Sequence, residues 1–113
     1  PMMAAANCLE KTLRGCGKKP RVLRLRDRAG REFPVKNHCR YCYNTIYNTA
    51  PLYLLDQAGK LKAMGCSGLR LSFTVENGTE VRKVLALAEA AEAGRPAAFE
   101  GEYTRGHWKR KVE

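Results

Sequence analysis

Leu69-Arg70-Leu71-Ser72-Phe73 alternates apolar and polar side chains with the two-residue period of a strand. What flanks it decides the fold. On its N-terminal side Leu52, Leu55, Leu61 and Met64, with Leu54 and Ala58, keep helical spacing. That run starts near Pro51, whose missing N–H suits a first helical turn, and ends at Gly65, a natural C-cap. Gly59 weakens the helix by roughly 1 kcal/mol relative to alanine. On the other side Asn77-Gly78-Thr79 precedes Val81, Val84, Leu85, Ala88 and Ala91, again three and four apart, and Gly94 with Pro96 ends the run. Upstream, Asn44 to Asn48 is short and β-prone. The order strand, helix, strand, helix predicts an α/β fold with parallel strands and crossover helices, the unit of a barrel or an open sheet. Two such units cannot close a barrel, so its other strands are expected upstream of Pro1.

Further toward the N-terminus, residues 20–37 read as an inserted β-hairpin. Val22, Leu23 and Leu25 are interleaved with arginines, Asp27-Arg28-Ala29-Gly30 supplies turn chemistry, and Arg31-Glu32-Phe33-Pro34-Val35 resumes an apolar-polar pattern. Pro34 cannot donate to a ladder, which predicts that the second strand is an edge or is paired on one side only. A cysteine loop follows at 38–43. Residues 1–95 are thus expected to form one domain, and 96–113 a tail without helical or strand period.

The 113 residues suit one modest core, and the formal net charge of +10 is unevenly placed. Eleven basic residues lie between Lys11 and Arg40, against Asp27 and Glu32 alone. Such a block attracts phosphate backbones with salt-dependent affinity, and equally suits a solvated strand face or an acidic partner. Arg24, Arg26 and Arg28 are its candidate contact residues. Pro1 in place of an initiator methionine, followed by Met2, Met3 and three alanines, reads as a cut from a longer protein. No stretch reaches the ~18 apolar residues that span a bilayer, and Met2 to Ala6 is too short for a signal peptide. A soluble cytoplasmic chain with no membrane partner is expected.

Five cysteines are an odd number, which fits a reducing compartment and metal or redox roles better than disulfides. Seven residues separate Cys8 from Cys16, two separate Cys39 from Cys42, and the hairpin fills most of the interval between the pairs. Because a hairpin brings its two ends together, Cys16 and Cys39 should fall at one end, where all four thiols can converge. Four thiolates suit zinc and equally an iron–sulfur cluster. The competing reading is two buried small residues plus a redox pair. Cys66, between a helix end and a strand, suits a buried structural thiol or a substitute ligand, and His38 is a further zinc ligand type. Tyr41, Tyr43 and Tyr47 around the CxxC either pack beside the loop or stack on a base. No serine, histidine and aspartate set and no phosphate-binding glycine loop is present.

Several stretches together resemble the C-terminal half of the collagenase-like peptidases, the peptidase family of unknown catalytic type numbered thirty-two. They are Pro1-Met2-Met3 with Asn7-Cys8, Leu25 through Val35 (a DRxGxxFPV pattern), Cys39 with Asn44-Thr45-Ile46-Tyr47-Asn48 and Pro51-Leu52, Gly68 through Phe73, and Thr104-Arg105-Gly106-His107-Trp108. The resemblance implies a TIM-like barrel in the complete protein, to which this chain contributes the last part, and an iron–sulfur cluster bound by Cys8, Cys16 and Cys39. Cys42 is the nearest fourth ligand, with Cys66 or a residue outside the chain as the alternatives. It implies a nominal peptidase acting on protein substrates, or a branch that supports oxygen-independent hydroxylation of RNA bases, with the fragment alone inactive. Arg70 and His107 are further contact candidates, against a strand-end salt bridge and a solvated tail histidine.

Overall fold

Asp27 shapes the hairpin by accepting from its own turn. Its Oδ1 takes the N–H groups of Ala29 and Arg31 at 2.9 Å each, while its N–H donates to the Arg31 carbonyl. Gly30 sits at φ +80°, a conformation that would strain any residue with a Cβ. The turn joins β2 (Val22–Arg26) to β3 (Glu32–His38) with Val22 opposite Lys36 and Arg26 opposite Glu32. A second tight turn leads into β4 (Tyr43–Ile46), and β1 (Met3–Ala5) adds to the outer side of β4. The result is a four-stranded antiparallel sheet in the order β1-β4-β3-β2. The computed structural model describes residues 1–109 and divides after Thr49, each unit having its own packing.

In the first unit β3 is central rather than an edge. Pro34 is accommodated because it stands opposite Tyr47, where the β3–β4 ladder ends: its carbonyl accepts from the Tyr47 N–H at 2.8 Å, and the return bond that a proline cannot make is the last one. One face of the sheet buries Val35, Asn37 and Asn44 completely. Helix α1 (Leu9–Arg14) lies on that face through Glu10, whose Oε2 accepts from Asn37 Nδ2 at 2.7 Å and whose Oε1 lies 3.5 Å from the Arg21 guanidinium. Asn37 Oδ1 in turn accepts the Arg21 N–H. Neither β1 nor α1 is visible as a periodic pattern in the sequence, since both are too short to show one.

The second unit has its core at Tyr53, Leu55 and Ala97, with Leu71, Val84, Leu87, Phe99 and Tyr103 against it. Tyr53 donates its hydroxyl to the Ala97 carbonyl at 2.9 Å, and its ring meets Phe99 and Tyr103 at centroid distances of 4.9 and 5.6 Å. Residues 96–109 therefore pack as part of this core. Thr104 bonds both ways with the 51–53 backbone, to the Pro51 carbonyl and from the Tyr53 N–H, and Arg105 pairs with Asp56. This use of Pro51 to Tyr53 in an extended bridge delays the expected helix, which appears as a short 3-10 turn (Leu55–Gln57) and α2 (Ala58–Ala63).

Helix α3 (Gly78–Glu92) starts with a capping box: Asn77 Oδ1 accepts from Thr79 and Glu80, and Glu80 accepts from the Asn77 N–H. It ends with Gly94 at φ +70° and the Arg95 N–H bonded to the Ala90 carbonyl. Leu87 rather than Leu85 turns to the core, leaving Leu85 exposed.

The sequence pattern at Leu69–Phe73 does not become a strand. Leu71 packs on the core, but no neighbouring strand pairs with this segment among the described residues, and Leu69 and Phe73 remain exposed. A strand needs a ladder partner for its N–H and C=O groups, and alternation alone cannot supply one. Among the described residues the expected parallel sheet is thus replaced by a small mixed α/β arrangement with an antiparallel sheet and three α-helices.

Candidate metal centre

The end of the hairpin away from its turn gathers the cysteines. Cys39 follows β3 directly, and across the sheet it meets the segment that leads into β2: its thiol donates to the Lys19 carbonyl at 2.9 Å. Cys42 closes the CxxC with φ +53°, a left-handed conformation rare for a residue with a side chain, and its thiol points to the Cys39 carbonyl at 3.8 Å. Tyr41 completes the turn by donating its N–H to the His38 carbonyl at 2.9 Å.

Cys8 occupies the N-cap position of α1 and is buried. Its carbonyl accepts from both the N–H and the hydroxyl of Thr12 at 3.1 Å, so the start of the helix is fixed. Cys8 and Cys42 line one cleft together with Ala6, Asn7, Lys11 and Thr12. Cys16 follows Gly15 on an exposed loop. A Cβ on the next residue, Gly17, would approach Glu10 Oε1 to 2.9 Å, and that oxygen cannot swing away without leaving Arg21 and Asn37. Glycine at 17 lets the Cys16 loop close over the buried carboxylate.

Electrostatics tie the four thiols together. Partial burial pushes the Cys39 thiol above its ordinary range, and Cys16, the Glu10 carboxylate, Cys8 and Cys42 push it further in that order. Each of these neighbours, once ionised, disfavours a thiolate at Cys39. Among the described residues, no three Cys, His, Asp or Glu side chains stand close enough to hold a metal ion as they are oriented. Two of the thiols are turned to carbonyl acceptors, the orientation of a protonated S–H donor. The chemistry of the donor set fits a thiolate-bound metal, and ligation would require both hydrogen bonds to be released along with the protons.

The remaining sequence candidates lie apart from this cluster. His38 stacks on Tyr43 at 4.3 Å with 11° between ring planes, and its Nε2 is taken by Thr45 Oγ1 at 3.1 Å. Cys66 is exposed after α2 rather than buried. Arg24 and Arg26 share the two oxygens of Glu32, whereas Arg28 projects from the turn. Arg70 is exposed, off any strand and without an ion pair among the described residues, and His107 lies exposed in a turn. Sequence reasoning missed Glu10 and Asn37, the polar pair beneath the cysteines. The available signal was Glu10 itself, an isolated acid two residues after Cys8 at the head of a basic stretch. No protein-family profile, no curated protein and no solved structure matches the chain.

Proposed function

We propose that the first unit is a metal-binding cysteine module in which Cys8, Cys16, Cys39 and Cys42 hold an iron–sulfur cluster, within the C-terminal part of a collagenase-like peptidase of the cytoplasm. The observation that carries this reading is geometric: the Cys39 thiol reaches across the base of the hairpin to the Lys19 carbonyl, three residues from Cys16, while Cys8 and Cys42 line one cleft. Four cysteines from three separate segments come to one end of a sheet that has very little apolar core, and bound metal adds folding free energy where burial cannot. When bound, a cluster of this kind supplies electron transfer at a potential set by its charge, hydrogen bonds and exposure.

The chain's own residues give the site its character. Lys19 and Cys39 carbonyls orient two thiols, Glu10 supplies a fixed negative charge beneath them, and Gly17 keeps the Cys16 loop close. In this reading Leu69–Phe73 and α3 belong to a TIM-like barrel whose neighbouring strands come from the rest of the parent protein. The exposed Leu69 and Phe73 agree with that role. Proteolysis or another reaction would belong to the whole parent.

Anaerobic purification with iron, zinc and acid-labile sulfide analysis and a visible spectrum tests the proposal. Iron with sulfide, lost in Cys16→Ser and Cys39→Ser, is the expected result. One zinc without sulfide would make the site a structural thiolate centre, and a metal-free protein would overturn the reading.

A further inference from the structure

The sheet has a second face, and the CxxC turn adds Arg40 and Tyr41 at its end. Cross-strand register places Arg24 opposite Pro34, Lys36 opposite Thr45 and His38 opposite Tyr43, so these six side chains share one side. Val35, Asn37 and Asn44 point to the other side, where α1 lies. Within the first unit no helix covers the side that carries His38 and Tyr43.

What this face displays is aromatic and basic. His38 and Tyr43 form a nearly parallel stack, and Tyr41 lies beside it, tilted, with its centroid 6.4 Å from that of Tyr43. Tyr41 is 69% exposed, with the Arg40 guanidinium 5.6 Å from its ring centre. Of the eleven basic and three acidic residues up to Thr49, Glu10, Asp27 and Glu32 are each already engaged by arginines. Lys18, Lys19, Lys36 and Arg40 have no acidic partner among the described residues. The formal charge of the unit, eleven positive against three negative, is +8 of the chain's +10.

We propose that this face binds single-stranded nucleic acid, with bases stacking on Tyr41 and the His38–Tyr43 pair and phosphates meeting Lys36 and Arg40. Positive charge alone would serve any polyanion. The exposed Tyr41 ring beside a guanidinium, next to the half-buried His38–Tyr43 stack, favours a partner with flat π-surfaces, which unpaired bases offer and an acidic peptide does not. A duplex hides the faces of its bases in its own stack, so the rings select single strands. The inference rests on sheet register for Lys36, His38 and Tyr43 and on ring geometry for Tyr41 and Arg40, and it invokes no thiol.

Fluorescence anisotropy with the full chain tests it, using labelled decauridylate, decathymidylate and a ten-base-pair RNA duplex over a range of salt. Both single strands should bind more tightly than the duplex, with affinity that falls as salt rises. Tighter binding of decauridylate than of decathymidylate would assign the site to RNA, and equal binding would assign it to single strands of either kind. Tyr41→Ala should weaken binding roughly tenfold, Tyr41→Trp should retain it, and Lys36→Gln should make the salt dependence shallower. Because Tyr41 is exposed, its substitution leaves the fold intact, which circular dichroism verifies. Equal or tighter binding of the duplex, or unchanged affinity in Tyr41→Ala, overturns the proposal. Metal analysis of the same samples separates the two readings: metal-free protein that binds single strands removes the cluster and keeps this site, and metal-loaded protein that does not bind them does the reverse.

Discussion

The Cys39 thiol stands 2.9 Å from the Lys19 carbonyl oxygen, a contact between the two ends of the hairpin twenty residues apart. It holds Cys39 as a donor, and therefore protonated. Metal uptake has to break it.

That requirement fixes a pH dependence. With the Cys39 thiol raised above its ordinary value of 9.0, the proton is favoured more in the fold than in the unfolded chain. The metal-free protein should keep this contribution below the unfolded thiol value and lose it as pH rises through the higher folded one. Urea unfolding of metal-free protein should show stability falling on the alkaline side of about pH 9. Cadmium uptake followed by thiolate absorbance should strengthen with rising pH, because metal replaces the proton.

On the acid side the sign reverses. The Arg31 N–H bonded to Asp27 holds that carboxyl below the usual range against the opposing effect of desolvation, with the Arg31 guanidinium adding to the lowering. Arg26 and then Arg24 do the same for Glu32. The contribution of both groups to the hairpin is present above the unfolded carboxylate values and disappears as pH falls through the depressed folded ones. The protection factors of the Gly30 and Arg31 amides, corrected for the intrinsic exchange rate, should therefore fall below about pH 4. Asp27→Asn should remove most of that acid sensitivity.

Asn37→Ala should destabilise the first unit by about 1–3 kcal/mol, measured by urea unfolding. Asn37 is 1% exposed, and its loss leaves the Glu10 carboxylate and the Arg21 N–H without their shared partner. Gly17→Ala should act on the same network from the loop side, lowering metal content more than Ala substitution at exposed Gly59, where a Cβ meets nothing within 4 Å.

In the second unit Tyr53→Phe should lower stability by about 1 kcal/mol through loss of the bond to Ala97, and Tyr53→Ala by about 3–5 kcal/mol through loss of the ring. Deleting residues 96–109 should expose the same ring, detectable as a shift in tyrosine fluorescence. If that deletion left thermal unfolding unchanged, the tail would not belong to the core.

Local chemistry made some elements readable. Asp27 and Gly30 specify their turn with four hydrogen bonds to backbone groups, and Asn77 with Glu80 specifies the start of α3, so both are visible to a reader of short windows. Partnerships formed at a distance are not. Leu69–Phe73 has a strand's alternation but no strand beside it, while Met3–Ala5 has no pattern and becomes a strand because β4 offers it an edge. Pro51 looked like a helix start until Thr104, fifty-three residues on, claimed the adjacent backbone. At the candidate site the cysteine spacing pointed to one end of the hairpin, whereas Glu10 and Asn37 acquire meaning only when the fold buries them together.

Pro34 has one more effect. By ending the β3–β4 ladder at Tyr47 it stops that pairing from running on into the following residues, and on the far side β2 is the last strand of the sheet among the described residues, with Val22, Arg24 and Arg26 at its outward backbone positions. An uncovered margin invites a second molecule to zip onto it. Two such margins brought together would set arginine against arginine, with one glutamate per molecule to offset them, so repulsion between copies guards the sheet where geometry leaves it unfinished.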